Sequence, residues 1–576
     1  MTSFELTRYG RTAVDAAVVS HSRAASWLAL IALALFLPGF FSLPPMDRDE
    51  PRFAQATKQM LETRDFVEIR FQDQARNKKP IGIYWLQAAS VGLASALGVP
   101  EARQKIWLYR VPSLLGAIAA VLLTYWAALA FTNRRGAFLA ACLLASTILI
   151  GVEARLAKTD AVVLATVVAA MGALARIYQG EARKDKDKDK DKEWPGALRL
   201  PAIFWTAIAF GVLVKGPITP MIPIFAVIVL AIKDRGAAWL RDLRPLLGLL
   251  WLLVLVLPWF VLILIETRGA FLSEALGEDM LAKMGSGREA HGAPPLTYLA
   301  IFWATAWPMA PLAILAIPFV WLNRRKRELA FLLAWLVPAW LLLELVPTKL
   351  PHYVLPLYPA IAIMTAMATE HGALAFERRW APFAAALLLL VPAVLIAGGF
   401  FGAIWLQTWP GVLTLIALPF ALWALKDAWR AAMLGDGPGI IVGGMVVALF
   451  TYVFVYGGIL TSALAKTFLL APRLDEMARS AQAIAPQCGP LKRATTLYRE
   501  PSLVFLSGTD LTMTIGKGAA DFLMGGPCRI AFVDSRDEHL FREGLPADAP
   551  VKLVGRVEGV NLARGRNLDI GVWLRQ

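Results

Sequence analysis

Apolar runs of roughly 20 residues recur along most of this chain, and that is the length a helix needs to cross the hydrocarbon core of a bilayer. They fall at 26–43, 107–131, 136–152, 161–178, 199–214, 218–232, 246–265, 296–320, 328–346, 353–369, 381–404, 410–426 and 438–458, about thirteen spans by the length rule. Of 576 residues, 57% are hydrophobic. A soluble chain of this length would carry far more charge. The expected fold class is a polytopic α-helical membrane protein. The first run follows Arg8, Arg11 and Arg23 and has no small-residue cleavage site after it. It reads as a retained span rather than a signal peptide.

The loops supply the topology. With the N-terminus in the cytoplasm, the cytoplasmic loops carry Arg134 and Arg135, the run Lys184 to Lys192, Lys233 to Arg244, Arg324 to Arg327, Arg378 and Arg379, and Lys426 and Arg430. Each is basic or mixed, as the positive-inside rule requires. The net charge of +15 is therefore topology information. It is scattered through short loops, and no basic patch on a soluble face points to nucleic acid. The alternating Lys-Asp run at 184–192 cannot bury a core and reads as a solvated loop.

Residues 1–465 read as the membrane domain, with outer segments at 44–106, 153–160 and 266–295. The first contains an amphipathic stretch, PRFAQATKQMLETRD, with Phe53, Ala56, Met60 and Leu61 at helical spacing. It reads as a helix lying along the membrane interface. Residues 466–576 read as a small outer α/β domain: a helical DEMARSAQAIA pattern, then β-rich runs ATTLY, SLVFL, RIAFVD, VKLVGRV and DIGVWL. It contains Cys488 and Cys528. A disulfide between them and two unpaired buried thiols are both compatible with the sequence.

The outer face gathers the ionisable groups. Asp49, Glu50 and Arg52 follow the first span in RDEPRF. Lys78 and Lys79 precede Pro80. Glu153, Arg155 and Lys158 lead up to Asp160, which opens the fourth span. Lys215 sits in the turn VKGPITP, His291 ends the third outer segment, and Lys349, His352 and Tyr353 lie in PTKLPHYVLP. Charges at a bilayer edge are costly and mark function by default. Taken singly, each has a bland explanation. Lys215 and Lys349 could snorkel to headgroups, and Asp49, Glu50 and Asp160 are favoured in a first helical turn. Together they suit a reaction on an anionic lipid: lysine and arginine for a phosphate, carboxylates for orienting an acceptor or stabilising charge on a sugar ring. There is no GK[ST] phosphate loop and no HExxH motif.

Four ordered segments resemble one family. RDEPRFAQATKQMLETRDF with KKPIGIYWLQ, VLVKGPITP, GREAHGAPPLTYL and KLPHYVLPLYPA are similar to segments of the bacterial aminoarabinose transferase and protein O-mannosyltransferase superfamily, integral-membrane glycosyltransferases of the GT-C class. The motifs cover about residues 26–370. The resemblance implies a sugar donor carried on polyprenyl (undecaprenyl) phosphate, and an acceptor on the periplasmic side of a bacterial inner membrane, with lipid A or lipopolysaccharide core favoured. It implies catalytic carboxylates at Asp49 and Asp160. Donor-phosphate contacts fall to Arg52, Lys79, Tyr353 and Lys215, with Lys78, His291, Lys349 and His352 as further candidates. His291 matches a loop histidine that some members use with a glutamate to hold a divalent metal. The glutamate expected just before Lys79 is Lys78 here, and a cation cannot be that ligand. A protein O-mannosyltransferase is the nearest alternative activity. A lipid-linked sugar flippase is the alternative of another class, although transporters place ionisable groups near mid-membrane and show internal repeats, and neither feature is seen here.

Overall fold

The structure, a computed structural model, describes residues 6–46, 49–180, 196–274, 293–405, 409, 411–461, 468–561 and 565–576. The Lys-Asp run, His291 and most of the third outer segment lie outside the described residues.

Each predicted span falls on helix. Among the described residues, eight helices are long and apolar enough to cross a membrane, or nine if the pair Thr297–Thr305 and Met309–Asn323, bent by 119°, forms one span. The other predicted spans are shorter or broken. His21–Phe36 and Ile218–Lys233 are short apolar helices, and 136–152 divides into Arg134–Ser146 and Ile148–Glu153. The span expected at 353–369 begins as a 3-10 turn, Pro351–Leu357, before the helix Tyr358–Glu370. Pro356 inside that turn withholds an amide donor that a continuous α-helix would need.

The helix Asp160–Gln179 is the axis of the bundle. Its apolar window is wholly buried, against 22% for Pro245–Glu266 and Ala381–Trp405, which face outward. Small residues (Ala161, Ala165, Ala170, Gly172, Ala173) let its neighbours approach, the usual device for packing helices in lipid. Gly116 on Ile106–Ala128 makes the tightest approach near its outer end. A Cβ there would stand 2.9 Å from the Val162 amide nitrogen. The first residue of this axial helix, Asp160, is therefore held by packing on a rigid element.

The first outer segment forms the helix Asp49–Thr63, a short hairpin of β1 (Arg70–Phe71) and β2 (Gln74–Ala75), and the helix Gly82–Ala96. The helix Asp49–Thr63 does not lie open on the membrane surface. Apart from Arg52, every residue from Glu50 to Met60 is buried, the polar Gln55, Thr57, Lys58 and Gln59 included. Its polar side, which the amphipathic pattern assigned to water, is roofed by the soluble domain.

That domain runs from the helix Leu470–Ile484 through β3 (Lys492–Thr495), the helix Pro501–Ser507, β4 (Thr512–Met513), the helix Gly516–Met524, β5 (Arg529–Asp534), the helix Glu538–Glu543, β6 (Lys552–Asn561) and β7 (Arg566–Arg575). Its sheet order is β4-β3-β5-β7-β6, with β3 parallel to β4 and β5, and β7 antiparallel to β5 and β6. SLVFL, read as a strand, is helical. A short continuous apolar run cannot be told from a buried helical turn by periodicity. Here Pro501 starts the helix at its first position and Gly508, at φ +121°, ends it. Cys488 and Cys528 form a disulfide, which resolves the open alternative.

Candidate active site

The second outer segment folds back over the end of the axial helix and is tied down on both sides. Ser113 Oγ donates to the Lys158 carbonyl at 3.0 Å, and the Ala157 amide donates to Glu50 Oε1 at 3.0 Å. Its charged side chains therefore turn inward at fixed positions. Lys158 Nζ meets Glu153 Oε1 at 3.1 Å and stands 3.9 Å from Asp160 Oδ2.

Two elements distant in sequence complete the cluster. Lys215, the last residue of its helix, pairs with Asp160 Oδ1. The turn behind it requires φ +77° at Gly216, a conformation open to glycine at little cost. From the 3-10 turn, His352 places Nδ1 3.7 Å from Glu153 and Nε2 3.7 Å from Asp160. The Lys215 ammonium also sits 5.3 Å from the centre of the Tyr353 ring, which packs edge-on against His352. Of the sequence candidates, Asp160, Lys215, His352 and Tyr353 thus meet in one place.

Asp49 and Lys79 border the same cluster electrostatically. Burial disfavours the charge on Lys158, but Glu153, Asp160 and then Asp49 outweigh it and hold the ammonium above the ordinary lysine range. Burial drives His352 well below the usual histidine value. Asp160 opposes that shift, while Lys158, Lys215 and Lys79 reinforce it, so the ring is neutral at pH 7. Glu153 is pushed up to about 7, mainly by burial, with Lys158 pulling the other way. Asp49 itself is about half exposed, with Arg52 3.9 Å away.

Lys349 is placed elsewhere. The Lys349 ammonium is turned back onto the end of the preceding helix, donating to the carbonyls of Glu344 and Val346 at 2.8 and 2.5 Å. That arrangement is a helix C-terminus satisfied by a cation. Lys78 is exposed.

The element the sequence reading missed is the partner of Glu50, which it left without a contact. Glu50 is buried and gripped by Arg110, Nε to Oε1 at 2.7 Å and Nη2 to Oε2 at 2.9 Å. Arg110 also donates to the carbonyls of Phe40, Leu43 and Pro44, and Glu50 also accepts from the amides of Met46 and Ala157. One buried pair therefore joins the end of the first span, the start of the site helix, the second membrane-crossing helix and the second outer segment. Arg110 stands inside an apolar run, and an arginine there was itself a signal.

Glu153, Asp160 and His352 bring ligand atoms within 4.8 Å of one another, a spacing compatible with a metal ion. The ammonium groups of Lys158 and Lys215 already sit on both carboxylates. Glu153 Oε2 is buried without a hydrogen-bond partner, so a divalent ion here would compete with two cations for the carboxylates rather than meet an open donor set.

A family model described as dolichyl-phosphate-mannose-protein mannosyltransferase matches residues 78–262. The undecaprenyl phosphate-alpha-4-amino-4-deoxy-L-arabinose arabinosyl transferases of Yersinia pestis (strain Pestoides F) and Yersinia enterocolitica serotype O:8 are each 26% identical over 346 residues. The chain spans 59% of the length of these relatives, and the match takes in 59% of the chain itself. The similarity in fold extends further. The crystal structure of ArnT from Cupriavidus metallidurans bound to undecaprenyl phosphate superposes with a TM-score of 0.71 at 17% identity, over 95% of this chain and 97% of that one. Its apo form gives 0.69 at 16% identity, over 95% and 98%. The likeness therefore includes the last spans and the soluble domain, which the motifs did not reach. In sequence this chain is similar to aminoarabinose transferases, and it shares the polytopic helical fold of ArnT.

Proposed function

We propose that the protein transfers a sugar from a polyprenyl phosphate donor, of the undecaprenyl phosphate type, to an acceptor at the periplasmic face of a bacterial inner membrane, with lipid A or lipopolysaccharide core favoured. The observation that carries this reading is the convergence of Lys215, Lys158, His352 and Tyr353 on Asp160, with Asp49, Arg52 and Lys79 at its border. Cations and an aromatic ring fixed at the outer end of a buried helix suit a lipid-linked phosphate. The undecaprenyl phosphate in the structurally similar ArnT supports the same ligand class. The disulfide supports an oxidising, outer location for the soluble domain.

The two carboxylates divide the work. Asp160 is committed to Lys215 and holds that ammonium toward the phosphate, as a positioning residue. Asp49 is the open carboxylate and orients or deprotonates the acceptor. The acceptor oxygen then forms its bond to the anomeric carbon as the bond to the carrier phosphate breaks, with inversion. The departing phosphate is stabilised by Arg52, Lys79 and Lys215. An acceptor that is itself a phosphate is already ionised, and Asp49 then serves orientation alone.

The test compares the masses of lipid A and of periplasmic glycoproteins from cells with and without the protein. A sugar increment on lipid A that depends on the protein supports the reading. An increment on proteins would favour a protein O-mannosyltransferase, the second reading, which the match at residues 78–262 supports. No change in either would overturn both.

A further inference from the structure

The helix Asp49–Thr63 carries a polar stripe, Gln55, Lys58, Gln59 and Glu62, at i, i+3, i+4 and i+7. Such a stripe faces water on an isolated interfacial helix. Here Gln55, Lys58 and Glu62 meet a single stretch of the soluble domain. Lys58 Nζ donates to the Phe505 carbonyl at 3.0 Å, near the end of the helix Pro501–Ser507, where free carbonyls and the helix dipole favour a cation. Thr509 Oγ1 accepts from Gln55 Nε2 at 2.7 Å and donates to Glu62 at 2.7 Å. The Phe505 ring enters an apolar cluster of the membrane domain with Ala54 and Tyr109.

The same stretch reaches the hairpin. Gln72 Nε2 donates to the carbonyls of Thr509 and Leu511 at 3.1 and 2.9 Å. Gln72 in turn exchanges hydrogen bonds with Gln59, its backbone amide donating at 2.8 Å and its carbonyl accepting at 2.7 Å. Lys78 and Lys79 follow this hairpin directly. The domain thus grips both segments that lead into the site, and it grips them by polar groups that lipid could not satisfy.

We propose that residues 505–511 of the soluble domain are a positioning element of the active site, acting through Lys58 and Thr509 on the helix that carries Asp49 and Arg52 and on the hairpin that leads to Lys79. The identity of the ligand rests on the function proposed above. The mechanical link does not. The contacts of Thr509 are with Gln55, Glu62 and Gln72 rather than with the clustered site residues, so its link to the site runs through those three.

The experiment uses full-length protein in detergent and measures amide hydrogen exchange together with binding of undecaprenyl phosphate, both scored per folded molecule. Thr509→Val keeps the shape and removes both hydroxyl bonds, and Thr509→Ser restores them. The expected result is faster exchange across residues 49–79 in Thr509→Val and about tenfold weaker undecaprenyl phosphate binding, a change of about 1.4 kcal/mol. Thr509→Ser should return both to near the wild-type level. Folded Thr509→Val with unchanged exchange at 49–79, or with faster exchange and wild-type binding, would overturn the proposal. Should Thr509→Val fail to fold, Lys58→Met against Lys58→Arg gives the same comparison. Wild-type protein that does not bind undecaprenyl phosphate, combined with faster exchange in the variant, would leave the link standing and remove the proposed donor.

Discussion

Removing the Glu50 carboxylate tests how the outer segments are held together. Glu50 and Arg110 are 1% and 0% exposed, with two short bonds between them. Glu50→Ala strands a buried guanidinium, and breaking a buried pair in this way costs about 3–5 kcal/mol. A double replacement, Glu50→Leu with Arg110→Met, removes both charges together. In a simple buried pair such a swap is often neutral. Here it also abandons the three carbonyls of residues 40, 43 and 44 and the amides of residues 46 and 157. Bonds to charged groups contribute about 1.5–3 kcal/mol each, so the double variant should remain several kcal/mol less stable than wild type. The assay is thermal melting in detergent at one fixed scan rate, followed by tryptophan fluorescence and size exclusion, because unfolding of a chain of this kind is a rate-dependent measurement. Hydrogen exchange at 44–50 and 153–158 locates the loss. A double variant that melts with wild type, with unchanged exchange at both segments, would refute the claim that this pair staples four elements.

Three further outcomes follow from the same geometry. Asp49→Asn should lower transfer by two orders of magnitude or more while folded protein and undecaprenyl phosphate binding persist, read in a transfer assay beside a binding assay. Because burial raises Glu153 to about 7, above its unfolded value, ionising it costs stability as pH rises through 7. The melting midpoint of wild type relative to Glu153→Gln should therefore fall between pH 5 and pH 8, and a flat difference would contradict the shift. Opening the disulfide with Cys488→Ser and Cys528→Ser together should cost the soluble domain roughly 4 kcal/mol, the chain-entropy value for a loop of this separation. That loss would appear as earlier exchange in β3 and β5 with little change in the axial helix.

The spans were legible because lipid imposes length and apolarity on every crossing helix. Short and broken helices were less so. Nothing in a hydropathy window separates a straight crossing from the kink at Pro308, between Thr297–Thr305 and Met309–Asn323. Asp160, Lys215, His352 and Tyr353 could be read from the sequence because charge beside lipid is conspicuous. Their meeting could not, since it depends on three turns that bring residues 160, 215 and 352 to one point. Glu50 looked like an ordinary first-turn acid because its partner lies sixty residues on, hidden in an apolar run. The polar face of Asp49–Thr63 was misassigned to water for a related reason. Amphipathic spacing records that a face is polar, but not whether water or another domain satisfies it.

The most direct test of the account is transfer by the purified protein itself. Given an undecaprenyl phosphate-linked sugar and lipid A in detergent, wild-type protein should add one sugar mass to lipid A and release undecaprenyl phosphate, and Asp49→Asn should not. Folded wild-type protein that binds undecaprenyl phosphate yet transfers no sugar to lipid A, lipopolysaccharide core or protein would contradict it.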